Sequence, residues 1–467
     1  MSYNPKSLIK TDEHGDNFEF IEKTSQNFLT KAKVEGCTAE IRAALNIEGT
    51  TRYARSQVTQ HTDLNTIQFS LRLVQGKKLA TGATSDLSPA GLDLLFQDTL
   101  STLHRTPETP FYQGLPAPRS GSNVDLSGKD WTMESRADTI IEIVNAAQEI
   151  DPKVILAGTA TETLRYTRVI STEGVDTEDS AHVNYFKVNA ITGSPEERGY
   201  GQEELYWRYT LPSFSELANT ATQTAKDTEK IETVDAGKHE VLLGPQAVAD
   251  LMVYVMFSMD ATSFHESNSF ASDRLGDQIF DEKLTIRNLP RDPTQATLVR
   301  NFDEEGMITQ NQMLFDKGVL KFIPYSSFHA AKYLDDKNLA TGDYVSLLFG
   351  ANAFPVSMAV DAGNKSLDDQ IGEMEDGLYV KNFWYNRFTL RREGGLTGLT
   401  RNGLYHVKDG EIKGAVRNLR YTESFVNAFG PNNIISIGKN RTKFELSNCP
   451  AMHLKSYNFS SIAHSFD

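Results

Sequence analysis

His265 and Glu266 are the pair in this sequence that comes nearest to a recognisable catalytic arrangement. Many zinc-protease motifs begin with such a pair on a helix. The first histidine supplies a ring nitrogen to the metal and a second histidine shares its face one turn on. The glutamate acts as base on a metal-bound water. The test is therefore the second ligand. The residues four and five positions after His265 are Ser269 and Phe270, and neither ligates zinc in the usual way. The ten histidines stand at 14, 61, 104, 182, 239, 265, 329, 406, 453 and 464, and no two are three to five residues apart. A metal site in this chain must be assembled from distant segments. His265 reads instead as part of a polar helix or loop face beside Ser263, Ser267 and Ser269.

Other candidates carry competing readings. Asp303, Glu304 and Glu305 are adjacent carboxylates; on a strand only Asp303 and Glu305 would share a face, and the expectation is a turn with a solvated charge cluster. Gly394-Gly395-Leu396-Thr397-Gly398 lacks the Lys-Ser/Thr ending of a phosphate-binding loop and reads as a place where the backbone approaches another strand or an extended ligand. Cys37 begins a strand and reads as core. Cys449 precedes a proline and shows no histidine or aspartate partner. The aromatic clusters Tyr206-Trp207-Arg208-Tyr209 and Phe383-Trp384-Tyr385 read as core or interface. No residue is assigned as catalytic, cofactor-binding or metal-ligating on these grounds.

The elements that must position these residues follow from composition and periodicity. With 467 residues, 39% hydrophobic and 23% charged, two or three globular domains with sizeable cores are expected. The net charge of −15 argues against direct nucleic-acid contact. Two distant cysteines, an N-terminus without an apolar leader and no long apolar run point to a cytoplasmic protein with no membrane segment.

Phe18, Ile21, Phe28 and Leu29 predict an amphipathic helix over 17–33. Strand-like runs follow at 38–45, 51–58 and 66–74, with a turn at 75–78 and a return strand at 79–84. Ser88-Pro89 is an N-cap and first-turn proline opening a helix to about His104. Residues 105–130 read as a long surface connection. A helix is expected at 134–149, strands over 153–211, and a polar helical crossing between domains at 213–235. The second half begins with a strand at 238–243. Gly244-Pro245 then opens a helix from 246 through 258, with continuation toward Phe270, and strands dominate after 275. The expected fold is α+β in two lobes. A helix-and-sheet domain covers 1–225, and a mostly β domain with one main helix covers 226–467.

Several stretches in order resemble the TldD/PmbA family, once called modulators of DNA gyrase. They are Arg52-Tyr-Ala-Arg-Ser-Gln57, the segment Leu275 to Pro290, Phe302-Asp-Glu-Glu-Gly306, Lys317-Gly-Val-Leu320, Gly377-Leu-Tyr-Val380 and Asn448-Cys-Pro450. In the TldD branch the resemblance implies a His-Glu-x-x-x-His motif on the helix after the Gly-Pro turn, completed by a cysteine on a later strand. Carried onto this sequence, the first histidine, the glutamate and the second histidine fall on Val253, Tyr254 and Ser258, and the cysteine falls near Arg401. Residues 246–260 contain no His, Cys or Glu, so a shift of register restores nothing.

The resemblance thus implies the PmbA/TldE-like branch, whose metal motif is absent. The expectation is a non-catalytic cytoplasmic subunit of a TldD-type zinc metalloprotease complex that degrades or trims unfolded peptides and peptide precursors. Zinc is expected only in the TldD-like partner, and a homodimer is possible when the chain is alone. Residues 383–388 are a candidate channel lining. Two alternatives stay open: a metallopeptidase with a relocated site, and an interaction protein acting on gyrase or another protein.

Overall fold

A computed structural model describes residues 11–346 and 352–463. His464 lies outside the described residues, as does the side chain of His14. The fold is α+β, built on two large sheets.

The first sheet is antiparallel, in the order β3-β2-β1-β4-β5-β6. Its strands are β1 (Thr38–Ala54), β2 (Gln57–Gln75), β3 (Lys78–Thr84), β4 (Ile155–Ser171), β5 (Asp176–Gly193) and β6 (Arg198–Trp207). The runs 38–45 and 51–58, expected as separate strands, belong to one hairpin. β1 continues to Ala54, and Arg55 and Ser56 make the turn at φ 51° and 59°, the left-handed pair that a two-residue type I′ hairpin requires. Helices α1 (Thr11–Val34), α2 (Pro89–Arg105), α3 (Met133–Ile150) and α4 (Phe214–Asp227) pack on this sheet. Strand alternation explains how. Ile41, Ala43 and Leu45 enter the core with Phe28 and Phe96, while Glu40 and Arg42 point to the opposite face.

The second sheet is mixed, in the order β11-β10-β9-β14-β20-β8-β15-β16-β17-β7, with β18 pairing β16 and β20, and β19 pairing β20. The early strands are β7 (Ile231–Glu232), β8 (Gly237–Leu243), β9 (Ile286–Asn288), β10 (Gln312–Asp316) and β11 (Val319–Leu320). A separate small pair, β12 (Tyr344–Val345) and β13 (Asn352–Ala353), precedes β14 (Met358–Val360). The later strands are β15 (Asp376–Leu390), β16 (Gly395–Lys408), β17 (Glu411–Val416), β18 (Leu419–Ser424), β19 (Ile434–Lys443) and β20 (Ser447–Ile462). Its helices are α5 (Pro245–Phe257), α6 (Ala261–His265), α7 (Ser327–Leu334), α8 (Leu367–Gly372) and α9 (Phe425–Ala428). The main helix stops at Phe257 rather than continuing to Phe270. Ser258 caps it, and Asp260 opens α6 by accepting from Ser263 N.

Charge joins the two lobes. The expectation of a solvated 302–306 turn is overturned, because Asp303 and Glu305 are fully buried. The turn closes through Asp303 N to Met307 O at 2.8 Å with Gly306 at φ 72°. It presses onto the face of the first sheet that the helices leave uncovered. Arg72 Nη1 lies 3.0 Å from Glu305 Oε1 and 3.5 Å from Glu40 Oε1, and Arg42 Nη1 lies 3.1 Å from Glu304 Oε2. Burial pushes the Glu40 carboxyl up to about 7 despite Arg72, and burial with the neighbouring Glu305 pushes Asp303 up to about 8.

Residues 106–132 are not the plain surface connection that Pro, Gly and Ser content suggests. They form an irregular strap that buries Tyr112, Leu115, Leu126 and Trp131. The strap reaches the second lobe through Lys337 Nζ to Leu115 O at 2.6 Å and Arg119 Nη1 to Ala340 O at 2.7 Å.

Removing Arg72 leaves two buried carboxylates facing each other without a cation. Arg72→Met is expected to destabilise the protein by about 3–5 kcal/mol, read as a lower midpoint in urea unfolding. An unchanged midpoint would mean that the seam bears little of the stability.

Candidate functional site

The place to look is α5 and the β15–β16 hairpin packed beside it. Pro245 sits in the first turn of α5 after Gly244, where its missing N–H is harmless. Ala247, Val248, Leu251, Met252, Val255 and Met256 are buried, so the helix is a core element. Gln246, Asp250, Val253, Tyr254 and Phe257 make its half-buried side.

None of the four positions to which the resemblance assigns the three ligands and the catalytic base carries such a residue here. Val253 offers no donor atom. Tyr254 donates its hydroxyl to Asn386 O and packs edge-on against Phe388 at 4.9 Å. Ser258 donates to Tyr254 O at 2.9 Å within its own helix turn. The Arg401 guanidinium lies over the Trp384 ring at 4.1 Å, and its permanent charge opposes a cation. The residues that fill the site are therefore bound to one another and to the hairpin.

One titratable group there escaped the sequence reading. Asp250 Oδ2 accepts from Phe383 N at 2.8 Å and Oδ1 accepts from Gln246 Nε2 at 3.0 Å, so a helix carboxylate fastens the irregular stretch of β15. Burial pushes its carboxyl up to about 7 against these hydrogen bonds. No motif in the sequence singles out Asp250; its partners Gln246 and Phe383 come together only in the fold.

The hairpin outside it is exposed and aromatic. β15 loses register between Trp384 and Arg387, and Tyr385 sits at φ 59°. Trp384 is 41% and Tyr385 59% exposed, with Arg387 Cζ 4.0 Å from the Tyr385 ring centroid. Phe383, by contrast, is core, stacked on Tyr457 at 5.6 Å. Gly398 does what a glycine at a close approach does: a Cβ there would lie 2.3 Å from Asn386 Oδ1 and 2.7 Å from the Tyr421 ring.

The remaining candidates are engaged by neighbouring side chains and backbone. His265 stacks on Tyr333 at 4.3 Å and shares a hydrogen bond with the Tyr325 hydroxyl at 2.9 Å. Glu266 accepts from Lys332 Nζ and the Tyr333 hydroxyl, each at 3.0 Å. The pair ties α6 to α7, and its neighbours are aromatic rather than the serines expected. Burial pushes the Cys449 thiol up to about 12 and raises that of Cys37, so neither is a ready thiolate. Trp207 packs against Trp131 at 5.4 Å. Buried Arg208 donates to Leu126 O at 3.0 Å and to Thr297 O at 2.8 Å, spanning both lobes.

Comparison with known proteins supplies the class. Residues 236–461 match the model of the PmbA/TldA metallopeptidase C-terminal domain. An uncharacterised protein of Methanocaldococcus jannaschii is 25% identical over 296 residues, a match covering 61% of this chain and 66% of that relative. TldE from Thermococcus kodakarensis superposes with a TM-score of 0.84 at 15% identity, covering 94% of this chain and 100% of that one. A candidate modulator of a DNA gyrase from Thermotoga maritima gives 0.82 at 19% identity, with the same coverage. A third structure, a candidate modulator of DNA gyrase from Bacteroides thetaiotaomicron, gives 0.77 at 17% identity over 94% of this chain and 99% of that one. The second lobe is thus of metallopeptidase C-terminal-domain type, set against a helix-covered antiparallel sheet. Residues 236–461 carry a domain of the PmbA/TldA metallopeptidase type, and the chain as a whole shares the fold of these three structures. Among the described residues no helix is long and apolar enough to cross a membrane.

The raised carboxyl of Asp250 fixes a pH dependence. In the unfolded chain it titrates near ~4, and in the fold near about 7. Between these values the folded state holds the extra proton, so its contribution to stability is lost as pH rises from the first to the second. The drop in Tm between pH 5 and pH 8 is expected to be smaller in Asp250→Asn than in the natural protein. Parallel curves would remove Asp250 as the titrating group.

Proposed function

We propose that this chain is a PmbA/TldE-like, non-catalytic subunit that works with a metal-bearing TldD-type partner in a cytoplasmic metallopeptidase acting on unfolded peptides and peptide precursors. The observation that carries the reading is the chemistry at α5 and β16. Val253, Tyr254, Ser258 and Arg401 stand where a zinc site of the family would stand, and Tyr254 and Arg401 are committed to Asn386 and Trp384. These four side chains do not make up the ligand-and-base set by which a zinc peptidase activates water.

What the groove retains is a surface for contact. Exposed tryptophan, tyrosine and arginine are the side chains that dominate protein interfaces when covered, and Trp384, Tyr385, Arg387 and Arg401 lie together on the hairpin. β15 pairs with β8 only through Val380, so the β8 side of its later stretch suits an extended peptide or a partner's strand, recognised through backbone hydrogen bonds with little sequence preference.

The test is peptide cleavage by the purified chain, by a TldD-type protein from the same source, and by the two together. The chain alone is expected to be inactive, and the mixture to cleave with full sensitivity to chelator. Trp384→Ala with Tyr385→Ala is expected to weaken association with the partner at least about tenfold, which is the scale of interface hot spots. Chelator-sensitive cleavage by the chain alone would overturn the assignment. Capture of gyrase subunits with no metallopeptidase partner would favour the interaction-protein reading instead.

A further inference from the structure

The histidine spacing permits a metal site only if separate segments build it, and the first lobe brings three such segments together. Asp130 in the strap, Glu162 on β4 and His182 on β5 place their ligand atoms all within 4.8 Å of one another. Strand register accounts for two of them. His182 stands opposite Leu164 and Asn184 opposite Glu162, so Glu162 and His182 are diagonal neighbours on one face of the hairpin. The strap supplies the third. His182 N donates to Leu126 O at 3.1 Å, Lys129 N donates to Arg208 O at 2.7 Å, and Trp131 N donates to Glu162 Oε1 at 2.7 Å. Gly128 lets the strap lie this close: a Cβ there would be 3.1 Å from the His182 ring.

A second observation points to a ligand. His182 is 1% exposed, and its Nε2 lies 3.2 Å from Glu162 Oε1. Yet Nε2 makes no properly directed hydrogen bond, and neither does the buried Oδ1 of neighbouring Asn184. Orphaned buried polar atoms are rare and call for a cause. Two donors each ~2.0–2.1 Å from one tetrahedral zinc are roughly 3.3 Å apart, close to the separation found. Arg136 Nη1 approaches Glu162 Oε2 at 3.4 Å and is itself fastened to Trp131 O and to Thr51 Oγ1. Its charge opposes a cation, but it takes the far oxygen and offsets only one of the two carboxylates. Asp130 is exposed, which leaves a path for the ion and an open position for water.

We propose that Asp130, Glu162 and His182 bind a divalent transition-metal ion of zinc's class, which fastens the strap to the β4–β5 hairpin. One imidazole and two carboxylates suit borderline metals better than calcium or copper(I). The proposal does not rest on the subunit assignment, because the ion's role is to hold the strap and its readout is affinity rather than hydrolysis.

The experiment is a calorimetric titration of zinc into the full-length, tag-free chain after chelator treatment, with thermal unfolding of the same samples. The natural sequence is expected to show a single saturable site and a Tm raised by zinc. Asp130→Asn changes an exposed residue and leaves the fold intact. It is expected to bind at least about tenfold more weakly and to lose most of the Tm gain. His182→Gln and Glu162→Gln are expected to abolish the site, with circular dichroism reporting whether each is folded. His265→Asn serves as a control and is expected to bind as the natural sequence does. Absence of a saturable site, or equal affinity in Asp130→Asn, would overturn the proposal whatever the peptidase assays show.

Discussion

The guanidinium of Arg72 lies between two carboxylates from opposite lobes, Glu40 on β1 and Glu305 in the 302–306 turn. Charges this deep are tolerated only when every partner is in place, so the contact sets the geometry around it. Glu305 also accepts from Ser327 N at 2.9 Å and Ser327 Oγ at 2.7 Å, which fixes the start of α7. α7 in turn carries Tyr333, against which His265 stacks, and so positions the segment that follows α5. A run of contacts thus leads from the uncovered face of the first sheet to the flank of the groove. The metallopeptidase-type lobe is braced from outside by a lobe that contributes no residue to α5.

The groove puts its polar side chains to structural use. A helix after a Gly-Pro turn lies beside an irregular hairpin, and the polar positions between them hold the two together. A tyrosine hydroxyl holds Asn386, a carboxylate holds Phe383 N, and an arginine covers a tryptophan. Each contact ties the hairpin to α5 or to itself.

Much of this was legible in the sequence because it depends on local rules. Period-two runs located β2, and Ser88-Pro89 and Gly244-Pro245 located the starts of α2 and α5. Residue types alone set the expectation that α5 carries no His-Glu-x-x-x-His motif. What escaped depends on long-range neighbours. The 302–306 carboxylates look solvated until Arg42 and Arg72, more than two hundred residues earlier, are placed against them. The strap looks like a surface loop because Pro and Gly content reports the lack of regular structure and not burial. Asp130, Glu162 and His182 share no spacing, since strand register and a loop crossing bring them together. His265-Glu266, set aside as a metal motif for want of a second ligand, links two short helices.

The strap also bears on how the chain is made. Its residues Gln113, Leu115 and Arg119 take partners at Asp335, Lys337 and Ala340, some 222 positions later in the chain. A ribosome delivers residues in order at roughly 5–20 per second, so the strap emerges many seconds before anything can receive it. During that interval Tyr112 and Leu115 are without their final cover, and the face of the first sheet bearing Glu40, Arg42 and Arg72 is open to water. The amino-terminal lobe therefore completes its packing only after most of the carboxy-terminal lobe exists. Shortening the interval, or shielding the exposed strap with a chaperone, bears on yield in a way that the stability of the finished protein does not reveal.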